Sequence, residues 1–425
     1  MKNLLEFINA SPTAFHAVAT LTSYLKEEGF EEVKENQSWQ LNPGKSYYVT
    51  RNQSSLIAFR IPECEATHFQ IVASHSDSPT FKIKENPSLK KQVYTTLNVE
   101  KYGGMIMSTW LDRPLSIAGR VMVATETGAK SKLINIDRDL MIIPHLAIHM
   151  NRKINDGYAF NPQVDLLPLL GDEKTDFEAL IANEAGVGKK ALLSYDLSLY
   201  PRVKATLMGA QEIYIGAPRL DDLECAYASV KGLIYAKSPR SIALAAIFDN
   251  EEVGSGTKQG ADSTFLKETM QRIAHALGRE DYESMVNRSF MVSSDNAHAL
   301  HPNHSEAADP INQPFLNKGI VIKYSANQKY TSDAYSASVF KTICNNAHVP
   351  YQIFTNRSDM LGGSTLGNIS TAQVSMKTVD VGLPQLAMHS CFETAGVYDL
   401  TFFEDALIYY YNHELLIEED EYSFQ

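Results

Sequence analysis

Apolar positions near the start of the chain recur at helical spacing. After Ser11 and Pro12, the residues Phe15, Val18, Leu21, Tyr24 and Leu25 fall on one stripe, and Gly29 follows the last of them. That pattern predicts a helix with its apolar face on the core, closed at Gly29. The next runs, SYYVTRNQSSLIAFRIP (46–62) and HFQIVASHSD (68–77), are rich in Tyr, Val, Ile and Phe and are separated by turn residues, as strands are. Two later runs look alike, SIALAAIFDNEE (241–252) and SFMVSSDNAH (289–298), each with the short unbroken apolar stretch of a strand buried on both faces. Helical stretches such as LECAYASVKGLIYA (223–236) lie between them. The fold class expected is α/β, a mixed central sheet with flanking helices.

The pattern changes in the middle of the chain. AGRVMVATETG, SKLINIDRD, IIPHLAIHM and VKATLMGAQEIYIG alternate apolar and polar positions, which predicts antiparallel strands with one wet face, and DFEALIANEAG adds one helical patch. We therefore expect residues 91–215 to form an inserted β-rich domain, with 1–90 and 216–425 forming the α/β domain. The length supports two units, because 425 residues exceed what a single core usually serves.

Composition narrows the function classes. A net charge of −12 disfavours nucleic acid or an anionic membrane as partner, so an acidic ligand would need a local positive group. Cys64, Cys225, Cys344 and Cys391 are scattered, which predicts reduced thiols rather than a disulfide scaffold or a thiolate zinc site. The N-terminal run is too short and polar for a signal or anchor, and no stretch reaches the ~18 apolar residues of a membrane span, so a cytoplasmic protein is expected. The acidic residues 418–421 read as a solvated end.

Candidate chemistry clusters where the buried runs end. ASHSDSP offers His75 and Asp77, FDNEEVG offers Glu251 and Glu252, and SSDNAHALHPN offers Asp295. Ligands collect outside the carboxyl ends of strands in open α/β sheets, so these loops could share one crevice. Asp221 and Asp222 stand ahead of a predicted helix, where a simple cap is the competing reading, and His389 sits in PQLAMHSCFETAG. Histidine and carboxylate donors without thiolates suit a two-metal hydrolytic site. Residues i and i+2 of an extended segment share a face, so Asp77 can take the second ring N–H of His75. Of Glu251 and Glu252, one would bind metal and the other stay free as base. HELLI (413–417) has Ile417 where a zincin helix needs histidine, and GGSTLG (362–367) lacks the lysine of a phosphate loop. His298 and His301 read as residues that hydrogen-bond either behind the ligands or within their loop.

Taken together, SPTAFHAV, ASHSDSP, YGGMIMSTWLDRPLSIAGRV, IPHLAIHMNR, PRLDDL, DNEEVGSG, SSDNAHALHPN and LPQLAMHS give the chain a resemblance, over almost its whole length, to the aspartyl aminopeptidases and their bacterial relatives. The resemblance implies two divalent ions, zinc first with cobalt or manganese as alternatives. His75, Asp221 and Asp295 would hold one, Asp221, Glu252 and His389 the other, with Asp221 bridging. It implies Glu251 as general base, taking a proton from the attacking water and passing it to the leaving amine, and Asp77 as the residue that orients His75. It further implies Lys323, in GIVIKYS, as the group meeting an acidic substrate side chain, and His149, in LAIHMNR, as a residue reaching a neighbouring subunit's site. Relatives build tetrahedral dodecamers from dimers, so the β-rich domain would serve dimerisation. TNRSDMLGGSTLG (355–367) departs from relatives in their substrate-pocket region, which leaves acidic against neutral preference open. The expected activity is release of N-terminal Asp or Glu from peptides. Competing readings are an aminopeptidase of broader specificity, a deacylase or carboxypeptidase on the same metal core, and a non-catalytic self-assembling scaffold.

Overall fold

The apolar runs that end in acid-bearing loops lie side by side at the centre of the molecule. In the computed structural model, which describes residues 1–237 and 239–425, a nine-stranded sheet runs 31–32, 46–51, 55–60, 242–248, 69–75, 290–294, 377–382, 320–324, 351–355. Its middle strands, Ile242–Phe248, Phe69–His75, Phe290–Ser294 and Lys377–Gly382, are mutually parallel. Antiparallel pairs on either side make the sheet mixed. The three apolar runs are buried along their whole length, as strands covered on both faces must be.

Two layers cover the sheet. One packs helices Lys2–Ala10, Ala14–Glu27, Leu220–Tyr235, Ala334–Asn346 and Val397–Asn412 around Phe7, Leu21, Leu233, Phe340 and Phe403. The other holds helix Phe265–Ala276, through Phe265, Met270 and Ile273, against Phe59, Phe69 and Phe248. Helix Ala14–Glu27 carries the predicted stripe inward, with Phe15, Val18, Leu21 and Leu25 buried, and Gly29 follows at φ 79. Among the described residues no helix is long and apolar enough to cross a membrane.

A six-stranded antiparallel sheet with its own core around Phe81, Trp110, Val121 and Leu199 makes the β-rich part. It begins with Thr80–Lys91, ahead of residue 91, and ends with Leu192–Pro201. Thr206–Met208 and Tyr214–Ala217 pair antiparallel as expected, but in a separate five-stranded sheet with Glu393–Gly396 and Pro384–Leu386. The helical patch is Phe177–Glu184, capped by Asp176. One expected strand is missing: IIPHLAIHM makes only an isolated bridge at Ile142, beside one at the preceding Met141, and then turns, with Met150 N–H donating to Ala147 O at 2.8 Å. Pro144 has no N–H to offer a ladder, and Leu146, Ile148 and Met150 stay exposed.

Two smaller expectations resolve simply. All four cysteines are free, and Cys64 alone is exposed. The acidic residues 418–421 are solvated but form the tip of a hairpin between Leu415–Ile417 and Tyr422–Phe424 rather than a loose end.

Candidate metal centre

Three parallel strand ends and two connecting loops converge. His75 is the last residue of its strand and pairs with Phe248, the last of the next, so the chain leaving Phe248 turns over His75. That turn is one 3₁₀ turn, Glu251–Val253, entered from Asn250 at φ 62 and left through Gly254 at φ 93. Glycine suits the exit because it takes positive φ without strain. Asp295 follows the third strand, Phe290–Ser294. Asp221 and Asp222 open the helix Leu220–Tyr235 with non-helical backbone and so do not act as a cap.

The side chains meet as two groups sharing Asp221. His75, Asp221, Asp222 and Asp295 each place a donor atom within 4.8 Å of the others, as do Asp221, Glu252 and His389. Asp221 presents one oxygen to each: Oδ1 lies 3.4 Å from His75 Nε2, and Oδ2 lies 3.4 Å from His389 Nε2. Glu252 Oε2 stands 3.4 Å from the same His389 nitrogen. Both rings are oriented from behind. His75 Nδ1 faces Asp77, at 3.1 Å from its carbonyl and 3.4 Å from its carboxylate, and His389 Nδ1 donates to Gly104 O. Each imidazole thereby keeps its Nε2 lone pair for the shared space.

The electrostatics favour a cation. Asp221 Oδ1, Asp222 Oδ1 and Glu252 Oε1 are buried without a hydrogen bond from any described residue, although buried carboxylate oxygens are rarely left so. Burial first, then the neighbouring acids against the relief from His75, pushes Glu251 up to about 8 and Glu252 well above the usual carboxylate range. Burial would keep His75 neutral, yet Asp222, Asp221 and Asp77 reverse this and raise it well above an ordinary imidazole. A divalent cation would satisfy these groups, and histidine with carboxylate oxygen is a fitting donor set for zinc, cobalt or manganese.

Two supports, Glu393 and Tyr102, were not singled out in the sequence, and Asp77 and Asp222 do more than was expected of them. Glu393 is buried and accepts from the Asp221 N–H at 3.1 Å and the His389 N–H at 2.7 Å, fixing two donors at once and holding His389 at φ 65. Asp77 accepts from the Glu251 N–H at 3.1 Å, the Glu252 N–H at 3.2 Å and the Tyr102 hydroxyl at 2.6 Å. Its role is therefore wider than orienting His75, because it also anchors the turn that carries both glutamates. Asp222 joins the first group but gives Oδ2 to the His75 N–H at 3.0 Å. Glu393 and Tyr102 lie inside quoted motifs, but a buried carboxylate that accepts only backbone N–H groups leaves no spacing pattern to read.

Lys323 is buried, not an exposed strand lysine. Its Nζ donates to Asn296 O at 2.8 Å, lies 3.8 Å from Asp295 Oδ1 and sits 5.5 Å from the Tyr330 ring, which places it beside the first group. Burial opposes its charge, but Asp295, Tyr330 and Asp380 outweigh that and hold the ammonium above its ordinary range. His298 packs against Phe354 at 5.9 Å nearby, and His301 Nδ1 accepts from the Asn303 N–H. His149 is not part of the cluster; it is exposed on the turn after Pro144.

Known proteins match this chain in sequence and fold. A family model described as Aminopeptidase I zinc metalloprotease (M18) matches residues 7–411. A probable M18 family aminopeptidase 2 of Clostridium novyi (strain NT) is 48% identical over 409 residues, 93% of this chain and 94% of the relative. The cryo-EM structure of the Ape4 and Nbr1 complex contains a chain with 37% identity and a TM-score of 0.93, covering 97% of this chain and 85% of that one. The S. cerevisiae mApe1 dodecamer is similar at 26% identity and a TM-score of 0.84, covering 97% and 96%. With the family model spanning residues 7–411, the chain belongs to the M18 family of aminopeptidases, hydrolases of the zinc metalloprotease class.

Proposed function

We propose that the chain is a two-ion aminopeptidase releasing acidic N-terminal residues from peptides. One observation carries the reading: Asp221 turns a different oxygen toward each histidine, 3.4 Å from His75 Nε2 and 3.4 Å from His389 Nε2, as a bridging carboxylate would. His75, Asp221 and Asp295 would hold one ion, and Asp221, Glu252 and His389 the other. When bound, the ions supply Lewis acidity toward the scissile carbonyl and toward water. Glu251, half-buried beside both groups, takes the proton of the attacking water and returns it to the leaving amine. Asp77 holds the Nδ1 side of His75 and the backbone of the glutamate turn. Lys323, charged and buried beside Asp295, answers the need for a positive group and would meet an Asp or Glu side chain.

The assembly follows the same reading. Residues of the β-rich part would dimerise, and His149, exposed here, would reach the site of a neighbouring copy. A dodecamer like that of the related mApe1 is the expected product. Four free thiols accord with a reducing cytoplasm.

Strip the purified protein with a chelator, restore it with zinc, cobalt or manganese, and measure cleavage of Asp-, Glu-, Leu- and Lys-aminoacyl reporters. Activity that returns with metal and favours Asp and Glu supports the reading. Release of Leu as fast as Asp would leave the metal chemistry and remove the acidic preference, and no release under any metal would remove the aminopeptidase itself.

A further inference from the structure

The ion-holding residues lie outside the six-stranded sheet, yet a piece of that sheet closes over them. Strand Tyr94–Tyr102 ends at Tyr102, and Gly103 and Gly104 continue from it. On one side, the Tyr102 hydroxyl donates to Asp77 Oδ2 at 2.6 Å and accepts from Asn250 Nδ2 at 2.8 Å. It thereby touches the group behind His75 and the residue that starts the glutamate turn. On the other side, Gly104 O takes the Nδ1–H of His389, the Ile106 N–H donates to His389 O at 3.0 Å, and the Cys391 N–H donates to Thr109 Oγ1 at 3.0 Å. Between them Gly103, at φ 75, lies so near Glu252 that a Cβ there would stand 3.1 Å from the Glu252 Cβ.

We propose that residues 102–109 form a clasp that holds the two histidine sides of the centre at their working separation, with Tyr102 as its positioning residue. The α/β part then reaches full ion affinity only with the β-rich part seated on it. The inference rests on reading the cluster as a metal centre. The physical reason is that Asp77 is buried, so a lost hydrogen-bond donor is not replaced cheaply and its carboxylate is held less firmly behind the His75 ring and under the glutamate turn. Without the phenol it loses its shortest donor, Asn250 loses an acceptor, and the His75 ring and the glutamate turn gain freedom together. The reverse coupling follows from linkage: binding of ions tightens the clasp.

The test uses Tyr102→Phe in the full chain, with Tyr195→Phe as control, since the Tyr195 hydroxyl donates to Lys84 O within the same sheet. Zinc affinity is measured by competition with a chromogenic chelator. We expect Tyr102→Phe to weaken it by about 10–100-fold, the usual effect of removing a partner behind a ligand, with kcat falling while KM for an aminoacyl reporter holds, and the control unchanged. A second measurement needs no variant: in the wild type, added zinc slows amide hydrogen exchange in residues 100–109. Unchanged zinc affinity in a folded Tyr102→Phe chain, or exchange in 100–109 indifferent to zinc, overturns the clasp alone. A wild-type chain that binds no zinc overturns the metal reading and the clasp with it.

Discussion

The strand-end cluster and the turn at residues 144–151 are both rich in chemistry and differ in what completes them. In the cluster nearly every donor has a partner inside the chain: Asp77 collects the Glu251 and Glu252 N–H groups, and Glu393 those of Asp221 and His389. The oxygens left over point at one another across a space suited to cations. In the turn, Leu146, Ile148 and Met150 are 57%, 48% and 75% exposed, and His149 beside them is exposed too. A buried acidic cluster needs counter-charge, whereas an exposed apolar turn needs another surface. In the reading proposed above the first is closed by ions and the second by a copy of the chain, and that difference can be broken at either end.

The largest effect should come from Asp221→Asn. The amide keeps its size but cannot serve both histidines as a bridging anion, so we expect ions to be lost from both groups and turnover to fall to the uncatalysed background. Metal content by plasma mass spectrometry, with circular dichroism to show that the fold persists, checks it. Metal retained at wild-type stoichiometry would show that the cluster does not depend on its shared carboxylate.

Next in size is the division between the paired glutamates. Glu251→Gln should lower kcat by roughly 10²–10⁴-fold, the range for a general base, with zinc affinity nearly unchanged. Glu252→Gln should instead weaken one ion by more than about 100-fold, beyond what loss of an outer hydrogen-bond partner produces. Chelator competition and steady-state kinetics on the two variants separate these outcomes, and identical behaviour would remove the distinction.

The reach of sequence reasoning follows the same line as the comparison. The strands ending at His75, Phe248 and Ser294 were legible because strands buried on both faces need unbroken apolar runs, and function concentrates where such strands stop. The ligand candidates were legible one by one, but their grouping came from the family resemblance and not from spacing, since they lie up to 314 positions apart between His75 and His389. Glu393 and Tyr102 escaped because Glu393 accepts only from backbone N–H groups, that of Asp221 far along the chain, and Tyr102 donates to a carboxylate just past another strand's end. Residues 142–150 misled for a different reason: alternation fits a strand, but the pairing begun at Ile142 with Leu169 stops before Pro144, and the chain turns.

A smaller effect is expected at Lys323. Charge-assisted hydrogen bonds contribute about 1.5–3 kcal/mol, so Lys323→Met should reduce the preference for Asp over Leu reporters by roughly 10–100-fold. The ratio of kcat/KM values is the measurement, because the ratio cancels any common loss caused by leaving Asp295 without its neighbour at 3.8 Å. A variant that lost both substrates equally would make Lys323 a support for Asp295 and not a selector.

The smallest effect on the chain itself, and the sharpest test of the contrast, is Ile148→Asp. Its side chain is already 48% exposed in the single chain, so the charge should leave the thermal unfolding of an isolated subunit within about 0.5 kcal/mol, as for ordinary surface changes. At an interface the same charge would be desolvated against apolar partners, and a well-packed contact of this kind is worth about 2 kcal/mol, near 30-fold in subunit dissociation. Sedimentation velocity should therefore show smaller species at a given concentration, while zinc content stays at the wild-type value because the cluster is closed from within. If assembly were untouched, the turn would not be an interface. If zinc were lost with assembly, the cluster would depend on a neighbouring copy as well as on its own chain.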